Sequence, residues 1–218
     1  MSKYDTVIFD LDGTLLNTLD DLCDSTNFAL SQYGYSKRSL MEVRSFVGNG
    51  IGVLIEKALP GGKSNPEYGQ VFDVFKKHYA LNCNNKTRAY DGIDKLLHDL
   101  KENGYKLAVV SNKVDSAVKE LCSRYFAGTI SIAIGETEKV RRKPAPDEVY
   151  EAIYLLGSEK EHTVYIGDSE VDIATAKNAG IDIISVSWGF RNESVLREAG
   201  ANVIIDTPKD VFEYISKK

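Results

Sequence analysis

The sequence predicts an α/β protein: a Rossmann-like parallel sheet flanked by helices, interrupted once by an inserted α-helical domain. Short β-branched or aromatic runs alternate with longer helical patterns, as they do where crossover helices wrap a parallel sheet. One stretch, roughly Leu16 to Lys86, carries helical patterns without a convincing strand, and is far longer than the dozen or so residues a crossover needs. At 218 residues, 43% of them hydrophobic, the chain can bury one substantial core and still carry a small second domain. The expected division is therefore residues 1–15 and 87–218 as the α/β core and residues 16–86 as the insertion.

Taken in order, Thr6 to Phe9 is the first strand. The insertion opens with a helix over Leu19 to Tyr33, ended by Gly34, and continues with helical segments at Leu40 to Phe46, Ile51 to Leu59 and Glu67 to Leu81. Its two junctions, Leu15 to Asn17 and Asn84 to Arg88, read as loop hinges. From there strands at Leu107 to Ser111, Ile130 to Ile134, Thr163 to Ile166, Ile183 to Val186 and Val203 to Ile205 alternate with helices. These helices cover Gly92 to Asn103, Asp115 to Tyr125, Pro146 to Leu156, Ser169 to Ala179, Ser194 to Ala199 and Pro208 to Ile215. Gly104, Gly157, Gly180 and Gly200 fall where helices should stop, and Pro146 and Pro208 suit first turns.

A net charge of −5 and a pI near 5.3 argue against nucleic acid or an anionic membrane surface as partner, because both attract basic patches. The three cysteines, Cys23, Cys83 and Cys122, are too scattered for a disulfide framework or a zinc site. The opening Met1-Ser2-Lys3-Tyr4-Asp5 meets acidic residues at once and does not read as a signal peptide, and no run approaches the ~18 apolar residues of a membrane span. A soluble cytoplasmic protein, monomer or homodimer, is expected.

Four clusters carry chemistry. Phe9-Asp10-Leu11-Asp12-Gly13-Thr14 puts two carboxylates at the carboxyl end of a buried strand, the edge where open parallel sheets bind ligands; a bare Asp-x-Asp also suits a plain acidic turn. Gly13 comes too early for a calcium loop. Gly167-Asp168-Ser169 with Asp172 forms a second carboxylate pair, although Ser169 or Asp168 also suits a simple helix cap. Ser111-Asn112-Lys113 offers a hydroxyl, an amide and backbone N–H groups at an expected helix start, a setting that favours anions and equally a plain turn. Lys143-Pro144 ends an Arg141-Arg142-Lys143 run, where an exposed lysine is the simplest reading, with Pro146 stiffening the approach. Nucleotide-binding alternatives fail on spacing: Gly48-x-Gly50-x-Gly52 meets Val53 where a dinucleotide fingerprint needs glycine. Gly62-Lys63-Ser64 has Lys57 where a P-loop needs its first glycine.

The order and spacing of Asp10-x-Asp12-Gly13-Thr14, Ser111-Asn112, Lys143-Pro144 and Gly167-Asp168-Ser169-x-x-Asp172 resemble the four motifs of the haloacid dehalogenase superfamily across almost the whole chain. The helical insertion is similar to that superfamily's cap domain. The resemblance implies a phosphatase acting on a small-molecule phosphate ester, with Asp10 as nucleophile and Asp12 as acid and base. Gly13, Thr14, Ser111, Asn112 and Lys143 would bind the phosphoryl group. It also implies Mg²⁺ held by Asp10, the Asp12 backbone carbonyl and Asp168, with Asp172 nearby. Dehalogenases of the superfamily lack the second aspartate, present here as Asp12. Phosphonate hydrolases use a cap lysine, and none lies between Phe46 and Ile55.

Arg44-Ser45-Phe46-Val47-Gly48-Asn49-Gly50-Ile51 and Ser187-Trp188-Gly189-Phe190 resemble phosphoglycolate phosphatases, which would make Arg44 a partner for a substrate carboxylate; a solvated helix residue is the alternative. Relatives acting on pyrophosphate, nucleoside monophosphates or sugar phosphates share the core motifs. A catalytically silent phosphate-binding module is the reading from a different class.

Overall fold

The computed structural model describes residues 3–218; Met1 and Ser2, part of the segment read above for a signal peptide, lie outside the described residues. Strand β1 (Thr6–Phe9) and the two-residue β2 (Leu16–Asn17) lead into helices α1 (Leu19–Ser31), α2 (Leu40–Phe46), α3 (Gly50–Ala58) and α4 (Tyr68–Asn82). Another short strand, β3 (Arg88–Ala89), precedes α5 (Ile93–Glu102), β4 (Lys106–Val114), α6 (Asp115–Tyr125) and β5 (Ile132–Glu136). Helix α7 (Asp147–Leu156), β6 (Thr163–Gly167), α8 (Glu170–Ala179) and β7 (Asp182–Val186) follow, and α9 (Glu193–Glu198), β8 (Ile204–Ile205) and α10 (Pro208–Ser216) complete the chain. The chain divides into two compact units, one made of the residues up to Leu15 with Ala89–Lys218, the other of Leu16–Arg88.

The first unit holds a six-stranded sheet, wholly parallel, in the order β5-β4-β1-β6-β7-β8. The chain enters the sheet at its middle, winds outward to β5, then returns to the far side of β1. The direction of winding reverses between β1 and β6, which opens a crevice beyond their carboxyl ends. Val7, Ile8 and Phe9 are fully buried, because helices cover both faces of the sheet and the strand needs no polar alternation. Ile8, Val110 and Tyr165 pack against Val149, Ala152 and Ile153 of α7 and Ala176 of α8. The α7 residues recur at the i, i+3, i+4 spacing of one apolar helix face, and burying a side chain of this size contributes about 1.5–3 kcal/mol.

The second unit is helical. Ser39 and Glu42 cap α2 reciprocally, with Ser39 N–H donating to Glu42 Oε2 at 2.7 Å and Glu42 N–H to Ser39 Oγ at 3.3 Å. Leu22, Ala29 and Leu30 of α1 are buried, as are Val71, Phe75 and Tyr79 of α4, and the two helices pack together.

Two local features depart from the sequence reading. The junctions expected as loop hinges contain β2 and β3, which pair with each other; two-residue strands are too short to leave a periodic signal. Beside them the buried Asp21 carboxylate accepts hydrogen bonds from Lys86 N–H at 3.0 Å, Thr87 N–H at 2.9 Å and Thr87 Oγ1 at 2.8 Å. The helix start expected at Ser111-Asn112-Lys113 is instead strand, because β4 keeps pairing with β5 through a register shift between Ser111 and Val114 and α6 begins only at Asp115.

Asp21 closes the helical unit on itself, and its removal strands two backbone donors. Asp21→Ala is therefore expected to lower stability by about 2–4 kcal/mol in urea unfolding followed by circular dichroism; a change under about 0.5 kcal/mol would contradict this role.

Candidate active site

Every core motif reaches the same edge of the sheet. Phe9 is in register with Val109 of β4 and Ile166 of β6, so Asp10, Ser111 and Asp168 all emerge at the carboxyl ends of adjacent strands. Asp10 keeps this alignment beyond β1, its N–H donating to Ile166 O at 2.9 Å.

The centre of the site is Lys143, which is only 4% exposed and so is not the solvated lysine its basic neighbourhood allows. Its ammonium donates to Asp10 Oδ1 at 2.7 Å, to Asp172 Oδ1 at 2.8 Å and to the Tyr165 hydroxyl at 3.0 Å, which uses all three protons. Burial opposes the charge on Lys143, but Asp10 and Asp172 outweigh it and hold the ammonium protonated well above the ordinary lysine range. The Asn112 side-chain amide steadies the same loop by donating to Lys143 O at 3.2 Å.

Asp168 is 1% exposed and bonded at both oxygens: Thr14 Oγ1 donates to Oδ1 at 3.2 Å, and Phe190 N–H to Oδ2 at 2.6 Å. A glycine on each side makes this close approach possible. Gly13 has φ 95°, a conformation side chains resist, and a Cβ on Gly13 or on Gly189 would overlap the Asp168 carboxylate. The Trp188 indole donates to Thr14 O at 3.0 Å and ties that segment to the Asp10 turn. Asp172 faces Asp168 from the first turn of α8, where its Oδ2 accepts from Ser169 N–H at 3.1 Å and Ser169 Oγ at 2.6 Å. Ser169 is thus the helix cap and Asp172 still presents Oδ1 to the site.

Burial and the mutual repulsion of these carboxylates push Asp10 well above the usual carboxylate range, against the opposing pull of Lys143. Burial and Asp172 raise Asp168 to about 7, although Phe190 N–H, Arg191 and Lys143 oppose the rise. Asp10, Asp168 and Asp172 each place an oxygen within 4.8 Å of the others. This set of buried, oxygen-only ligands, left in negative excess over the single Lys143 charge, fits a hard divalent cation such as Mg²⁺. The Asp12 carboxylate stands outside that cluster; it accepts from Lys113 Nζ at 2.9 and 3.2 Å.

Asp10, Asp12, Gly13, Thr14, Ser111, Asn112, Lys143, Asp168 and Asp172 all belong to the α/β unit, whereas Arg44 lies half-buried in the last turn of α2, in the helical unit. The roles of three participants escaped the sequence reading. Lys113 sits inside a motif singled out for its hydroxyl, amide and backbone, not its ammonium. Tyr165 reads as a core residue, and Phe190 acts through a backbone N–H that leaves no side-chain signature.

Glu148, in the first turn of α7, is fully buried and neither carboxylate oxygen has a hydrogen-bond partner. Burial raises it to about 7, with Glu136, Glu151 and Asp147 adding to the rise and Lys143 opposing it. The folded protein therefore holds a proton here that the unfolded chain releases near pH 4.5, so stability falls as pH rises through that window and levels off above about 7. Relative to wild type, Glu148→Gln should gain about 3 kcal/mol between pH 4.5 and pH 8 in urea unfolding; parallel pH profiles would refute the assignment.

The sequence matches the description of haloacid dehalogenase-like hydrolases over residues 7–186. Among curated proteins, a phosphoglycolate phosphatase of Mesorhizobium japonicum is 34% identical over 91% of this chain and 89% of its own length, and one of Haemophilus influenzae is 32% identical over 94% and 95%. A crystal structure of a protein from Lactobacillus delbrueckii subsp. bulgaricus superposes with a TM-score of 0.94 at 39% identity, covering 98% of each chain. The chain belongs to the haloacid dehalogenase-like hydrolases and is a phosphatase of that family, similar to phosphoglycolate phosphatases.

Proposed function

We propose that the protein is a Mg²⁺-dependent phosphomonoester hydrolase that works through an aspartyl phosphate on Asp10, with a small phosphorylated metabolite such as 2-phosphoglycolate as substrate. The observation that carries this reading is the buried Lys143 ammonium shared by Asp10 and Asp172 at the switch point of the sheet. It keeps Asp10 in place beside a cationic group that suits a phosphoryl oxygen. The names of the curated relatives support the substrate.

Asp10 attacks phosphorus and the ester P–O bond breaks, with Asp12 giving a proton to the departing alkoxide. Asp12 then takes a proton from water as that water attacks phosphorus, which releases inorganic phosphate and restores Asp10. Ser111, Asn112, Gly13 and Thr14 hold the phosphoryl oxygens through both displacements, and Lys143 binds the phosphoryl group through the positive charge it places beside them. Asp10, Asp168 and the Asp12 backbone carbonyl, with Asp172 close by, would hold Mg²⁺, which when bound neutralises the excess negative charge of site and substrate. No single effect suffices, since phosphate ester hydrolysis demands accelerations of up to ~10²¹-fold and acid–base catalysis alone supplies roughly 10² to 10⁴. The helical unit is read as the cap, and Arg44 as its partner for a substrate carboxylate through a guanidinium fork. Cys23, Cys83 and Cys122 are all buried thiols, which suit a reducing cytoplasm.

Asp10→Asn should abolish phosphate release from 2-phosphoglycolate while circular dichroism stays that of wild type; turnover near wild type would remove Asp10 as nucleophile. A parallel screen of pyrophosphate, nucleotides and hexose phosphates, with and without chelator, ranks the substrate classes, and chelator-insensitive turnover would overturn the metal requirement. Saturating Mg²⁺, at about 100 times its Kd, should stabilise wild type by about 2.7 kcal/mol, or roughly 5–10 °C in Tm. In Asp168→Asn that shift should vanish; an undiminished shift would place the ion elsewhere.

A further inference from the structure

Lys113 is a buried cation with no part in the reaction as derived above. It lies in the last residues of β4, where the register with β5 shifts between Ser111 and Val114, and its side chain is 5% exposed. The ammonium donates to both oxygens of Asp12, at 2.9 and 3.2 Å, across 101 residues of sequence. Among the described residues these are the only hydrogen bonds to that carboxylate. The neighbouring Asp10 carboxylate is held by a different lysine, Lys143, at 2.7 Å. The two carboxylates of the Asp-x-Asp pair are thus steered by separate ammonium groups, one from strand β4 and one from the loop before α7.

A carboxylate that passes one proton to an ester oxygen and later takes one from water must meet both at hydrogen-bond distance. The turn around Gly13 sets the backbone of Asp12, but its side-chain torsions are free unless a partner holds them. A small misplacement of such a group is costly, because pre-orientation supplies much of its effect. We propose that Lys113 is the positioning residue for Asp12, aiming its carboxylate at the leaving-group oxygen. The proposal rests on the reading of Asp12 as acid and base. It also separates the duties of two buried lysines: Lys143 serves the nucleophile, and Lys113 serves the proton carrier.

The test compares two esters that share the phosphoryl group and differ in how much the leaving oxygen needs a proton. In 2-phosphoglycolate the leaving group is a strongly basic alkoxide; in p-nitrophenyl phosphate it is a weakly basic phenolate that departs without help. Lys113→Gln should lower kcat/KM, which reports the steps up to departure of the leaving group, by roughly 10²-fold or more for 2-phosphoglycolate and by less than about five-fold for p-nitrophenyl phosphate; kcat also contains hydrolysis of the aspartyl phosphate, a step the two esters share. Lys113→Arg, which restores a cation, should recover part of the alkyl-ester rate. The double variant Lys113→Gln with Asp12→Asn should be no slower than Asp12→Asn alone, because both substitutions disable one function.

Equal losses of kcat/KM on the two esters, a weakened competitive inhibition by inorganic phosphate, or additive losses in the double variant would show Lys113 gripping the phosphoryl group or merely supporting the fold, and would overturn the proposal. If Asp12→Asn shows the ester split and folded Lys113→Gln does not, this proposal alone fails. If Asp12→Asn itself lowers kcat/KM for both esters equally, the reading of Asp12 as acid to the leaving group fails and this proposal with it. Should Lys113→Gln not fold, the ester split measured in Lys113→Arg decides: a larger loss on the alkyl ester supports positioning, and an even loss overturns it.

Discussion

One ammonium group holds the site together. Asp10, Asp168 and Asp172 are buried within a few ångströms of one another, and carboxylates crowded out of water resist ionisation. The Lys143 ammonium bonds two of them and reaches the Tyr165 hydroxyl, so that β6, α8 and the turn after β1 converge on one charge. Exposed pairs such as Lys95 with Asp99 are as short, at 2.7 Å, yet contribute little because water screens them. Removing one member of a buried pair leaves the other charge uncompensated, at about 3–5 kcal/mol.

The remaining carboxylates are restrained in a different way. Asp168 is bonded at both oxygens, by Thr14 Oγ1 and the Phe190 N–H, while Asp172 gives Oδ2 to the Ser169 cap and Oδ1 to Lys143. Such doubly held side chains have little rotamer freedom left to lose when substrate arrives, the condition under which electrostatic stabilisation acts without reorganisation. The approach depends on what is missing at Gly13 and Gly189, since a side chain at either would occupy the volume of the Asp168 carboxylate.

Crowding and burial also set where these carboxyl groups give up their protons. Burial and the neighbouring Asp172 raise Asp168 to about 7 even though Phe190 N–H, Arg191 and Lys143 oppose the rise. The same principle explains why Glu148, buried in the first turn of α7 without a hydrogen-bond partner, stays protonated to about pH 7.

Much of this was legible along the chain. All six strands of the main sheet were recognisable as short apolar runs, although the edge strand β5 begins two residues later than expected, and the carboxylates stood out because they follow the buried runs of β1 and β6 at once. Local patterns of this kind are set by residues a few positions apart. The pairing of charges was not legible: Asp10 meets Lys143 across 133 residues and Asp12 meets Lys113 across 101, distances bridged only by the register of parallel strands. Nor could the chain announce that β4 runs on to Val114 past a register shift, which turns an expected helix start into strand and buries Lys113. Residue types at strand ends are local information, whereas which cation faces which anion, and how dry the meeting place is, follows from packing alone.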